Sequence, residues 1–136
     1  LAFGNFRDLL VQVTLSPAGA GRSLTVQEHE HVIQAGTVST TPALIPANAV
    51  VFGVTARVVA AITGTLASWE LGNPGAVGRF GSGLGLAQGS FARGVLGSPT
   101  EFYTPTALQL DATGGSFAGG VVRLAVHYLE LSLPQP

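Results

Sequence analysis

The sequence has no cysteine and no methionine, and all six of its basic residues are arginine. The missing cysteine excludes disulfide staples, thiolate metal sites and cysteine nucleophiles, and leaves the redox compartment open. Charge of either sign is scarce: 10% of residues are Asp, Glu, Lys or Arg, against about 25% in ordinary domains. The formal net charge is −1 and there is no run of basic residues, so nucleic acid, bound through its phosphates, is not an expected partner. Long hydrophobic runs are missing too. The most apolar stretch, Ala49 to Ile62, carries Arg57 near its middle and falls short of the roughly 20 residues of a membrane helix. No basic segment precedes an apolar one as in a signal peptide, and no membrane partner is expected. The chain opens on Leu1 rather than Met, which reads as a fragment boundary or a processed end.

What is present is apolar and rich in glycine. The 136 residues suit one domain, large enough to bury roughly two-thirds of its unfolded surface. An apolar content of 46% with so little charge implies that part of the surface is covered by other subunits. Glycine, at 19 residues, is about twice as frequent as usual and clusters between apolar stretches, where turns need positive φ.

Period-two alternation dominates. In Val50 to Thr63, the residues Val50, Phe52, Val54, Ala56, Val58, Ala60 and Ile62 fall on one face, and β-branched residues are frequent, which favours a strand over a helix. Pro46 marks its entry and Gly53 a bulge. Gly120 to Ser132 alternates in the same way with both faces largely apolar, the pattern of a strand that is central or covered by a neighbouring subunit. A third strand spans Ser23 to Gln34, interrupted in phase by Glu28-His29-Glu30-His31. Shorter strands are predicted at Leu9–Leu15, Thr37–Leu44, Ser68–Leu71, Gly83–Ala87 and Ala107–Ala112. About eight strands without a capped helix give an all-β antiparallel sandwich, jelly-roll-like. The stretch Gly72 to Gly97, with few aliphatic residues, reads as a long glycine-rich loop, and long ordered loops are often binding loops.

Catalytic chemistry finds little support. Gly81-Ser82-Gly83-Leu84-Gly85 has the look of a phosphate-binding run but lacks the helix that must follow it. His29-x-His31 places two imidazoles on one strand face, with His127 as a third metal ligand in the metal-binding reading. The competing reading is a polar strand segment, and no metal or other cofactor is expected. Glu70 and Glu101 are the nearest approach to a hydrolytic carboxylate pair, but no pattern ties them together, and there is no G-x-S-x-G elbow. The chain does not read as an enzyme. Aromatics are the stronger lead, since rings stack on sugar faces while polar side chains bond the hydroxyls. Trp69, Glu70, Asn73, Arg79, Glu101 and Tyr103 are the candidate carbohydrate-binding residues, against a competing reading of Trp69 as core and Arg79-Phe80 as a loop anchor. Arg57 and Arg123 sit within strands, where an ion pair or a subunit contact is the expected role.

The segment from Ile45-Pro46 through Ala49, Val51, Gly53-Val54 and Arg57-Val58 resembles an IP-x-x-A-x-V-x-G-V-x-x-R-V pattern found in C-terminal domains of phage and gene-transfer-agent fibre and head-spike proteins. The resemblance continues through Ala61-Ile62-Thr63-Gly64, resumes at Arg79-Phe80-Gly81-Ser82-Gly83-Leu84-Gly85 and at Phe102-Tyr103-Thr104-Pro105-Thr106, and closes with Gly114-Gly115-Ser116-Phe117-Ala118-Gly119-Gly120 and Val122 to Leu129. It covers about residues 23–131. It implies a virion domain, extracellular after release, that attaches to host surface polysaccharide, or else a purely structural virion protein. It implies identical subunits as partners, in a trimer or for a head-vertex spike a pentamer, together with other virion proteins. It carries over no sugar-binding residues. Residues 1–22 lie outside it and are expected to form a neck, a docking segment or an exchanged strand, with residues 23–136 as the sandwich domain.

Overall fold

The computed structural model of the chain describes residues 9–15, 21–132 and 134. Regular structure among them is entirely β. In chain order the strands are β1 (Leu9–Leu15), β2 (Gly21–Val32), β3 (Val38–Ile45), β4 (Ala49–Gly64), β5 (Ser68–Asn73), β6 (Ala76–Leu84), β7 (Phe91–Phe102), β8 (Thr106–Thr113) and β9 (Phe117–Ser132). They form two antiparallel sheets, one in the order β1-β2-β9-β4-β7 and one in the order β3-β8-β5-β6. The pairings β2 with β9, β3 with β8, β4 with β7 and β5 with β6 are nested. That is the plan of a long antiparallel ribbon rolled over a core, a jelly roll. Strand β1 extends the first sheet beside β2, with Leu9 in register with Gln27.

Alternation places the core. On β9, Val122, Leu124, Val126 and Tyr128 are buried, and they face Leu108 and Leu110 of β8, Leu71 and Trp69 of β5, and Phe80 of β6 across the sandwich. Strand β9 lies between β2 and β4, so its double apolar pattern belongs to a central strand. Gly53 is the expected bulge: the register of β4 shifts between Val51 and Gly53 against both neighbours. The bulge also corrects the predicted face of β4. Val54, Ala56, Val58 and Ile62 share the inward face, but ahead of the bulge it is Val51 that is buried, while Phe52, expected on their face, is exposed. One extra residue reverses the phase of everything before it.

The expected glycine-rich loop over Gly72–Gly97 is largely sheet. Strands β6 and β7 fill most of it, joined by residues 85–90. The predicted strand Gly83–Ala87 overlaps only the end of β6 and the start of that connection. Glycine erased the alternation here, and two of these residues, Gly72 and Gly94, sit where backbones meet: a Cβ on Gly72 would lie 2.2 Å from the Ala76 carbonyl oxygen. A different irregularity occurs in β3. Pro42 has no N–H to donate, the β3–β8 register slips between Thr40 and Ala43, and the Leu108 N–H turns to Thr41 Oγ1 at 3.0 Å.

Candidate functional site

The six predicted sugar-contacting residues do not make one surface. Trp69 is 1% exposed and donates its indole N–H to the Gly85 carbonyl at 2.8 Å; it is a core residue and offers no stacking face. Asn73 is also buried, bonding the Pro74 carbonyl through Nδ2 at 3.1 Å. Glu70 alternates to the outside of the four-stranded sheet, where its register partner is Asp111 and Thr113 donates to it at 3.3 Å. Glu101 lies on the outside of the other sheet, level with Val50. Arg79 places its guanidinium 5.5 Å from the centre of the Phe102 ring. Tyr103, just beyond β7, is 72% exposed. The carboxylates Glu70 and Glu101 therefore belong to different sheets and do not face one another across a cleft.

The histidines divide between the two faces of one sheet. His29 and His31 share the inner side of β2, with ring centres 6.2 Å apart. His127 is in register with Val26, on the outer side, and bonds Thr55 Oγ1 at 3.1 Å. A sheet separates it from the pair, so the three-histidine arrangement does not form, and no cluster of three or more His, Asp or Glu with metal-site spacing occurs among the described residues. His31 has a structural task instead. Its Nε2 meets Ser39 Oγ at 2.7 Å, and that oxygen also accepts the Gln34 N–H at 3.1 Å, tying β2 to β3 of the opposite sheet. Burial first, and then the neighbouring His29, hold the His31 imidazole below its usual value, and burial does the same for His127. The folded protein thus binds these protons less readily than the unfolded chain. Stability contributed by the neutral rings is fully present above the unfolded value near 6.5 and is lost as pH falls through the lower folded values. Urea midpoints are expected to be flat from pH 8 to 7 and to fall from about pH 6.5 downward, with a shallower fall in His31→Gln. An equal fall in wild type and variant would exclude His31 as the source.

The surface with the least ordinary composition is the outer face of the five-stranded sheet. Among the described residues, six of the nine exposed large apolar ones lie on it: Leu24, Val32, Phe52, Phe91, Val95 and Leu131, with Val95 75% exposed. Val121, Ala125 and Leu129 of β9 and Val50 of β4 add half-buried apolar surface between them. Charges cross the middle. Glu28 and Glu30 stand on β2, Arg123 on β9, Arg57 on β4 and Arg93 on β7. Arg123 reaches Glu30 at 2.9 Å. Arg57 and Arg93 both flank Phe91, at 5.7 and 5.8 Å from its ring centre. Two shallow depressions of about 380 and 360 Å³ adjoin at Thr55 and Arg93, the first bordered by Glu28, Arg57, Phe91 and Arg123, the second by Phe52, Val95 and His127.

In fold, the chain is similar to a chain of the cyanophage Pam1 capsid asymmetric unit. The match has a TM-score of 0.54 at 24% identity and covers 78% of this chain and 84% of that one. No family model matches the sequence, and no curated protein does. The likeness is one of fold; the chemistry must be read from the chain's own surfaces. A wide apolar surface crossed by a few charges is suited to docking. Its signal was present in the sequence, in the double apolar pattern of β9. Phe52, Phe91 and Val95 are not visible as one surface in the sequence because the first alternates in phase with Val54 and Val58 and the others lie in the glycine-rich stretch.

Proposed function

We propose that this chain is a structural, non-enzymatic protein of a phage-type particle, a jelly-roll module whose five-stranded face is buried against other particle subunits. The observation that carries this reading is the concentration of exposed apolar side chains on one sheet face. Monomeric soluble proteins rarely leave such patches uncovered. The fold likeness to a cyanophage capsid component and the resemblance to fibre and head-spike domains supply the setting. Attachment to host polysaccharide has less to stand on, since Trp69 and Asn73 are interior and the remaining four candidates are divided between faces.

The test is composition. Particles purified from the source organism and analysed by quantitative mass spectrometry are expected to contain the chain at a fixed, repeated copy number per particle. Its absence from intact particles, with the protein found free, would overturn the reading.

A further inference from the structure

We infer that the outer face of the five-stranded sheet is closed by further copies of the same chain, the β2 half of one copy lying on the β4–β7 half of the next around a symmetry axis. Two charges on this face, Glu28 and Arg93, form no ion pair among the described residues. Glu28 is in register with Ala125, Ala125 with Thr55, and Thr55 with Arg93. Glu28 and Arg93 therefore lie on one level, three strands apart. At about 4.8 Å per strand that is roughly 14 Å, far beyond ion-pair contact. Neither has an oppositely charged partner among the described residues.

The adjacent level repeats the asymmetry. Glu30 is in register with Arg123, Arg123 with Arg57, and Arg57 with Phe91. Arg123 is engaged by Glu30, while Arg57 stands beside a like charge, an arrangement that costs stability in a sheet. On these two levels acid is thus confined to the β2 side and unneutralised base to the β4–β7 side, while Glu101 of β7 stands further along the strand, level with Val50. A polyanionic ligand would select base across the whole face. A neutral apolar partner would select no charge at all. Two levels whose ends carry opposite sign are complementary to themselves once the face is turned towards an axis parallel to its strands, because each acid end then meets a basic one.

The size agrees. Five strands at about 4.8 Å give a width of roughly 24 Å, and the nine residues from Leu24 to Val32 a height of roughly 30 Å, or about 700 Å². Stable interfaces use about 800 Å² per partner. The exposed Phe52, Phe91 and Val95 supply the water-excluding surface within which such a charge pair gains strength.

Sedimentation equilibrium of the full chain tests this. The wild type is expected at an integral multiple of 13.8 kDa at micromolar concentration. Glu28→Arg and Arg93→Glu are each expected to weaken association at least about tenfold, and the double reversal to recover most of that loss. Far-ultraviolet circular dichroism reports folding of each variant. Where a reversal does not fold, Glu28→Gln and Arg93→Gln replace it, and each must still weaken association. A wild-type monomer at tens of micromolar, or an oligomer indifferent to both single changes, or no recovery in the double reversal, would overturn the inference. A monomer that is nonetheless found in particles sinks this inference alone. An oligomer absent from particles sinks the particle reading alone.

Discussion

Replacing Gly94 by alanine is expected to destabilise the protein by about 3 kcal/mol or more, and by valine to prevent folding. Strand β7 belongs to the five-stranded sheet and its predecessor β6 to the four-stranded one, so the chain changes sheets between them and the two layers meet there. A Cβ on Gly94 would lie 2.3 Å from the Phe80 carbonyl oxygen and 2.6 Å from Phe80 Cβ. Phe80 is itself buried in the core, and the obstructing atoms are fixed to its backbone, so no rotamer change relieves the contact. Gly53, on the adjacent strand, is under the same constraint, 2.6 Å from the Gly94 oxygen. Whole-domain stabilities are only about 5–15 kcal/mol, so a loss of this size is readily seen in the urea midpoint. Gly97 is the internal control. It lies in the same strand with nothing within 4 Å of a built Cβ, and Gly97→Ala is expected to be neutral or to stabilise by about 0.5 kcal/mol. Equal midpoints for the Gly94 and Gly97 variants would mean that the sandwich does not close at β6 and β7 as described.

The same glycines explain where the sequence was legible and where it was not. Strands β4 and β9 announced themselves because β-branched and other apolar side chains alternate along them with few gaps, and a buried face enforces that alternation. Strands β6 and β7 did not, because glycine recurs along them and each one removes a beat from the period; at Gly94 the close approach of the two layers requires it. A stretch without alternation looks like a loop whether it is one or is a strand pressed against another backbone. Short-range patterning likewise cannot reveal which strand face is left over after the core is filled. His29 and His31 could be assigned to one face from spacing alone, but the position of His127 behind the sheet depends on the long-range register of β2 with β9. The apolar outer face was foreshadowed only as a shortage of charge and a strand apolar on both sides. Its residues became identifiable once the bulge at Gly53 and the true extent of β7 fixed the phase of Phe52, Phe91 and Val95.

Trp69→Ala is expected to cost about 3–5 kcal/mol, the range for removing a fully buried large aromatic side chain. Trp69 is among the largest fully buried side chains, on β5 in the four-stranded sheet. Its one polar atom is satisfied by the Gly85 carbonyl, at the start of the connection that carries the chain from β6 to β7. The ring therefore fills the core and fixes the entry to that connection. Trp69→Phe retains most of the volume and loses the hydrogen bond. Gly85 is exposed, so water can replace the lost donor, and the cost is expected to be smaller, about 1–2 kcal/mol. The comparison separates packing from surface function. A sugar-stacking tryptophan on an open face could be truncated within about 0.5 kcal/mol, with the loss appearing in ligand binding. Urea unfolding followed by circular dichroism compares all three proteins. In the wild type, the single tryptophan also reports directly: native emission is expected to be blue-shifted and resistant to acrylamide, moving red only with global unfolding. A water-exposed emission spectrum in the folded state, or a Trp69→Ala variant as stable as wild type, would move this ring out of the core and reopen it as a contact residue.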